Sequence, residues 1–173
     1  MAMTPSAACA ALIERAEGFA RMRPDGMVEA YPDPASGGAP WTIGCGLTGL
    51  GIVEGTVWTR EQCDELFRQR LAGFGRQVAG ILGNAPTTQN QFDAMVNLAW
   101  NVGAGSFAAS TLLKMHEAGD DAGAAAQFAR WTRARGRVLP GLVARRAAEA
   151  ALYRGGEIGT AGSSPGRTQG PFQ

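Results

Sequence analysis

Three side chains stand out for the chemistry they could do together: Glu17, Asp33 and Thr42. Glu17 lies in Ala16-Glu17-Gly18-Phe19, at the end of an amphipathic helical stretch. A carboxylate is unfavourable there because a helix C-terminus carries partial negative charge, and Lys or Arg would suit the position better. Buried beside Phe19, it would instead hold its proton more readily, which is what a general acid needs. Asp33 sits between prolines in Tyr31-Pro32-Asp33-Pro34, and Thr42 follows in Trp41-Thr42-Ile43-Gly44. Taken singly, each has an ordinary explanation as a surface glutamate, a turn-forming aspartate and a strand threonine. The combination says more. Two carboxylates in different surroundings can split a glycosidic bond, one protonating the leaving oxygen and the other handling water or the cation.

The elements that must position these groups follow from period and punctuation. Thr4-Pro5 reads as a cap followed by proline at the first helical position, Leu12, Ile13, Ala16 and Phe19 share a face, and Gly18 marks a stop. From about 19 to 58 the helical period disappears among prolines and glycines, leaving MVEAY, PWTIG and GIVEG as short β-compatible runs. Thr59-Arg60-Glu61-Gln62 is a capping-box pattern that opens a long helix carrying Cys63, Leu66, Phe67, Leu71, Phe74, Val78 and Ile81 on its inner face. A second box, Thr88 to Gln91, opens a helix with Phe92, Met95, Val96, Ala99 and Trp100 inward, ended by Gly103-Ala104-Gly105. Shorter helices are expected near 111–117, 122–132 and 141–154. The tail from Gly155, rich in Gly, Ser, Pro and Thr, reads as a flexible extension. The expected fold class is α+β and predominantly α: one domain over 1–154, with a small β-lobe at 19–58, a helical lobe at 59–154 and a tail at 155–173.

Composition bounds the rest. The chain has 173 residues, 45% hydrophobic and 18% charged, which is a globular profile, and a net charge of +1 suggests no partner. Between 122 and 156 the only acid is Glu149, against Arg130, Arg133, Arg135, Arg137, Arg145, Arg146 and Arg154. That segment should present a basic face suited to a nucleic acid or a cell-wall polyanion, or else a solvated helical surface in a chain whose only lysine is Lys114. Three cysteines, Cys9, Cys45 and Cys63, form no CxxC pair, so no disulfide framework is expected. One histidine, His116, without a Cys/His cluster gives no reason to expect a metal or any other cofactor. No apolar run is long enough to span a membrane and no secretory signal is evident, so the chain is expected in the cytoplasm when made, without a membrane anchor.

Glu17-Gly18, Ala30-Tyr31-Pro32-Asp33-Pro34 and Thr42-Ile43-Gly44-Cys45-Gly46 together resemble the phage-type lysozymes, or endolysins, of glycoside hydrolase family 24. The likeness continues through Thr88 to Ala94, Trp100-Asn101-Val102-Gly103, Ser110 to Leu113, Phe128-Ala129-Arg130-Trp131 and Gly141 to Glu149, in the family's order. It implies a lysozyme-like fold with a cleft between the two lobes, and hydrolysis of the β-1,4 bond between N-acetylmuramic acid and N-acetylglucosamine in peptidoglycan, with inversion. By that resemblance Glu17 would be the general acid. Asp33 would position and activate the water or stabilise the oxocarbenium-like transition state, and Thr42 would hold that water or Asp33. Asn101 and Tyr31 would contact the sugar, and an arginine of the Arg145-Arg146 pair would face Glu17 and help bind substrate. The implied partner is peptidoglycan, met by a monomer made in the host cytoplasm and released to the periplasmic wall through a membrane pore, with host lysis as the result.

Two departures from the pattern are visible. The family usually places its acid and Asp closer together, which makes Asp25 a rival; Asp33 is preferred because Ala-Tyr-Pro-Asp-Pro matches the motif, whereas Pro24-Asp25-Gly26 reads as a plain turn. Where the family usually has His after Thr-Ile-Gly-x-Gly, this chain has Leu47, which should alter local packing. Rival readings are a lytic transglycosylase, which does not need the Asp/Thr pair, and a non-catalytic peptidoglycan-binding phage module. A nucleic-acid binder is the weakest, since the arginines lack interleaved aromatics.

Overall fold

Ser6, not Thr4, starts the first helix, α1 (Ala7–Glu17). Its hydroxyl accepts from the N–H groups of Ala8 and Cys9 at 3.1 and 3.4 Å. Asp93, far along the chain, accepts from the Ser6 N–H at 3.0 Å and also from its hydroxyl. The cap is therefore tied to the protein interior as well as to its own helix, and Pro5 stands one residue ahead of it. These features belong to a computed structural model that describes residues 3–18, 22–32, 37–49, 51–134 and 136–156. Phe19, Asp33 and the tail from 157 onward lie outside the described residues.

The β-lobe is built from two-residue strands: β1 (Val28–Glu29), β2 (Thr42–Ile43), β3 (Leu47–Thr48) and β4 (Val57–Trp58). β1 pairs antiparallel with β4, placing Val28 opposite Trp58; β2 pairs antiparallel with β3, placing Ile43 opposite Leu47. The run 51–55, expected to be β-compatible, forms turns instead. Ile52 N–H donates to Gly49 C=O and Thr56 N–H to Val53 C=O, both at 3.1 Å, and the strand begins only at Val57. Leu47 is 1% exposed and packs in the core, so the position that in the family usually carries histidine is here an apolar anchor for the hairpin.

The helical lobe holds most of the core. Both capping boxes form, Thr59 with Gln62 at the start of α2 (Arg60–Leu82) and Thr88 with Gln91 at the start of α3 (Gln89–Val102). α3 is buried on every side from Gln91 to Ala99 and packs against α1 and α2. Burying side chains such as Phe92, Met95 and Leu98 contributes roughly 1.5–3 kcal/mol each. Trp100 takes Phe67 and Phe74 edge-on, with ring centroids 5.9 and 5.3 Å away. Gly103 ends α3 as expected, but a short helix, α4 (Ala104–Ala108), resumes at once because Phe107 is pulled fully into the core. α5 (Thr111–Glu117) follows. The helix expected over 122–132 is shorter: α6 (Asp121–Gln127) passes into one tighter turn, Phe128–Arg130, and then a hairpin of β5 (Arg133–Ala134) and β6 (Arg137–Val138). The last described helix, α7 (Pro140–Tyr153), begins with proline at its first position and lies against α3.

His116 is a structural residue of this lobe. Its ring, 2% exposed, lies between the Thr87 hydroxyl at 2.8 Å and the Tyr153 hydroxyl at 2.7 Å, and burial pushes its pKa below the usual value. The three cysteines are free and buried; burial raises the Cys45 thiol to about 11, which keeps it an unreactive thiol. Among the described residues no helix is long and apolar enough to cross a membrane.

Candidate active site

Glu17 is the last residue of α1, and Gly18 turns the chain immediately after it with a φ of 70°, a backbone conformation that favours glycine. The carboxyl therefore projects from a helix end instead of lying along its flank. Its side chain is 32% accessible, so it stands at a cleft wall and not in the apolar burial that its sequence neighbours suggested. The unfavourable placement at a helix C-terminus is answered from across the molecule. Arg145 of α7 donates through Nη1 to Glu17 Oε1 at 2.9 Å, setting a full positive charge against both the carboxylate and the helix end. Glu17 Oε2 has no hydrogen-bond partner among the described residues.

Arg145 is itself held from behind. Its Nε donates to Asn97 Oδ1 and to Glu149 Oε1, each at 3.2 Å, and its Nη2 donates to the Asn97 carbonyl at 3.4 Å. Asn97 also reaches α1, donating to the Cys9 carbonyl at 3.5 Å. Glu149 is fully buried and receives a second guanidinium, with Arg146 Nη2 donating to the same Oε1 at 2.7 Å. Burial outweighs both arginines and raises the Glu149 pKa to about 7. The same burial lowers the pKa of Arg146.

In front of Glu17 and Arg145 lies a cleft of about 730 Å³, lined by Leu12, Arg15, Asn101, Leu139 and Leu142 among others. The structure thus brings Glu17, Asn101 and Arg145 together on one wall, from the ends of α1 and α3 and from α7. It does not bring Arg146 there. Arg146 is 1% exposed and spends its charge on Glu149, so it cannot touch a substrate; adjacent residues on a helix point about 100° apart, and only the first of the pair faces the cleft. With Arg145 committed to Glu17 at the cleft and Arg146 turned into the core, the expected basic face also shrinks. Arg133 and Arg137 remain exposed, but the β5–β6 register sets Arg133 opposite Val138 and Arg137 opposite Ala134, which puts the two arginines on opposite sides of the hairpin.

Tyr31 and Thr42 belong to the β-lobe and do not line this cleft wall. They are joined to each other, each donating its N–H to the other's carbonyl at 2.8 Å, so the segment leading to Asp33 is anchored on the Thr42 strand. Asp33 itself lies outside the described residues. Its rival Asp25 closes an exposed turn, accepting from the Met27 N–H at 3.0 Å and pairing with Arg23 at 3.1 Å. Sequence reasoning singled out neither Asn97 nor Glu149 as site residues. The signal was spacing: Asn97 lies one helical turn before Asn101, and Glu149 lies three and four residues after Arg146 and Arg145, where helical side chains meet.

A helix-end acid clamped by an arginine from the last helix, beside an open cleft on a helical lobe with a small antiparallel lobe attached, defines a lysozyme-like fold. The muramidase domain of SpmX from Asticaccaulis excentricus shares it with a TM-score of 0.73 and 34% identity, over 87% of this chain and 97% of that one. The family model described as phage lysozyme matches residues 22–149, and the chain belongs to that family. An endolysin of Acyrthosiphon pisum secondary endosymbiont phage 1 is 43% identical over 121 residues, covering 65% of this chain and 79% of that protein. An endolysin of Bacillus phage PZA is 42% identical over 116 residues, covering 67% of this chain but 45% of its own length, so the chain spans less than half of that relative. The family match opens after Glu17, which makes the contact with Arg145 the geometric support for that residue's place in the site.

Proposed function

We propose that this protein is an endolysin-type muramidase that hydrolyses the β-1,4 bond between N-acetylmuramic acid and N-acetylglucosamine in bacterial peptidoglycan. The observation that carries this reading is the Glu17–Arg145 pair at the mouth of the cleft, within a chain of the phage lysozyme family. In this reading Glu17 protonates the leaving glycosidic oxygen, Arg145 fixes its carboxyl through Oε1, and Oε2 is the oxygen turned to substrate. Asp33 serves the water or the transition-state cation, Thr42 positions that water or Asp33, and Asn101 and Tyr31 contact the sugar. The enzyme acts on the cell wall of the host and lyses it.

The test is clearing of purified Gram-negative peptidoglycan by wild type and by Glu17→Gln, Asp33→Asn and Asp25→Asn. Glu17→Gln and Asp33→Asn are expected to lose nearly all activity, and Asp25→Asn to keep it. A dead Asp25→Asn would move the second carboxylate to the turn, and an active Glu17→Gln would remove the mechanism altogether. The released ends separate two chemistries: a reducing muramic acid end marks hydrolysis, whereas a 1,6-anhydro end marks a transglycosylase.

A further inference from the structure

Of the three charged side chains that line the cleft, Glu17 and Arg145 are engaged with each other. The third, Arg15, is exposed, and its guanidinium has no ion-pair or hydrogen-bond partner among the described residues. It shares one face of α1 with Leu12 and Ala16, at helical spacing, and the three line the cleft together with Leu142 of α7. Apart from Asn101 and the charged groups, every described side chain of the lining is apolar. That character continues out of the cleft. Val138, Leu139 and Val143, at the junction of β6 and α7, are three of the five large apolar side chains left exposed among the described residues, and Leu139 is itself a cleft residue. A free cation beside an exposed apolar rim suits a ligand that carries both a carboxylate and methyl groups.

The chemistry of the wall supplies such a ligand next to the reacting bond. With Glu17 as the acid, the bond cut leaves the muramic acid ring, and the same ring bears the lactyl ether to which the wall peptide is attached. The peptide branch therefore starts within one sugar ring of the Glu17 carboxyl. With its lactyl carboxyl in amide linkage, the glycan strand has no charge of its own, so a cation in the cleft meets charge only on the peptide. Peptide amines would be repelled, which leaves the carboxylates, and alanine methyls match the apolar rim. We propose that Arg15 is a specificity residue of this cleft: its guanidinium takes a free carboxylate of the peptide branch on muramic acid, while Leu139 and Leu142 cover the methyl groups of that branch. Arg15 also lies in the last turn of α1, where a cation steadies the helix end, and a purely structural role of that kind would move Tm without moving KM.

The inference rests on the reading of Glu17 as general acid, and the experiment separates the two. Soluble, uncross-linked peptidoglycan strands are compared with the same strands after carbodiimide coupling to ammonia, which converts the peptide carboxylates to amides and leaves the glycan unaltered. For wild type, amidation should raise KM about three- to tenfold with kcat within about twofold. For Arg15→Gln, KM on untreated strands should already be raised by that factor, and amidation should change it by less than about twofold. Leu139→Ser should raise KM about two- to fivefold on both materials and keep the wild-type response to amidation. Arg76→Gln removes an exposed arginine of α2 that does not line the cleft, and should behave as wild type. The proposal is overturned if wild type ignores amidation, or if Arg15→Gln responds to it as wild type does. It is overturned equally if Arg15→Gln changes Tm alone, or if Arg76→Gln also loses the response, which would mark bulk charge attraction. An unchanged KM in Leu139→Ser removes the apolar contact. If Glu17→Gln remains active on either material, the underlying reading fails instead.

Discussion

Replacing Arg145 by lysine keeps the charge and removes the geometry, which makes it a sharp probe of how the acid is held. Arg145 makes four hydrogen bonds from three nitrogens, forward to Glu17 and backward to Asn97 and Glu149. A lysine has one nitrogen and cannot serve both ends. Burial decides which end it chooses. Glu149 is 0% exposed, and stranding it would cost several kcal/mol, whereas the Glu17 side chain is 32% accessible and loses about 0–1 kcal/mol when its pair is broken. The ammonium should therefore stay with Glu149 and release Glu17. The Asn97 oxygens then lose their charged donors at a cost of about 1–2 kcal/mol, which lowers Tm by roughly 2–8 °C. Activity should suffer far more, with kcat on purified peptidoglycan down about ten- to hundredfold and KM within about threefold, because the acid is no longer aimed. Thermal unfolding and initial rates of clearing measure both numbers. A variant with kcat within twofold of wild type would show that Glu17 does not depend on the forked contact, and the reasoning would fail.

Other outcomes follow from the same structure. Arg146→Met should destabilise the fold by about 3–5 kcal/mol in chemical denaturation and leave KM unchanged, since Arg146 is buried against Glu149 and cannot reach substrate. Gly75→Ala and Gly80→Ala, both in α2, should move stability in opposite directions. A methyl at Gly75 would lie 2.5 Å from Pro5, which is clamped between Ser6 on Asp93 and Thr4 on Gln89, so a net loss of about 1 kcal/mol is expected despite better helix propensity. Gly80 has nothing within 4 Å of that position and should gain about 1 kcal/mol; equal Tm shifts would refute the packing argument. The Glu149 pKa, raised from 4.5 to about 7, means that the folded state holds a proton the unfolded chain has lost between those values. Its contribution is therefore fully present below about pH 4.5 and lost as pH rises through about 7, an effect of roughly 3 kcal/mol that denaturation at pH 5 and 8 should show in wild type and not in Glu149→Gln.

What the sequence carries about this molecule divides along physical lines. Capping boxes at Thr59 and Thr88 are local chemistry, written in four consecutive residues, and both form where the pattern places them. Glu17, Asn101 and Arg145 are legible through motif and come together on one wall. The fate of Arg146 is not legible in the same way. It carries the same side chain as Arg145 and is its neighbour, and only the packing of α7 against α3 turns one outward to the cleft and the other into the core. Asn97 and Glu149 look like helix-surface polar residues until that packing is known. The start of α1 moved from Thr4 to Ser6 for a related reason: the capping hydroxyl is chosen by a tertiary anchor, Asp93, that no local pattern reveals. Residues 51–55 have strand-like side chains, but turn hydrogen bonds on both flanks hold them out of the sheet.

The Glu17–Arg145 contact joins residues 128 positions apart, between the first helix and the last described one. A ribosome delivers these halves in sequence, so the acid emerges early and waits without its clamp while nearly every other element is made. Until α7 has left the ribosome and docked on α3, the partial chain has no arginine to aim Glu17. On the proposed reading, competence to cut the wall thus arrives late in synthesis and all at once, and a message broken before the Arg145 codon would yield only inert protein.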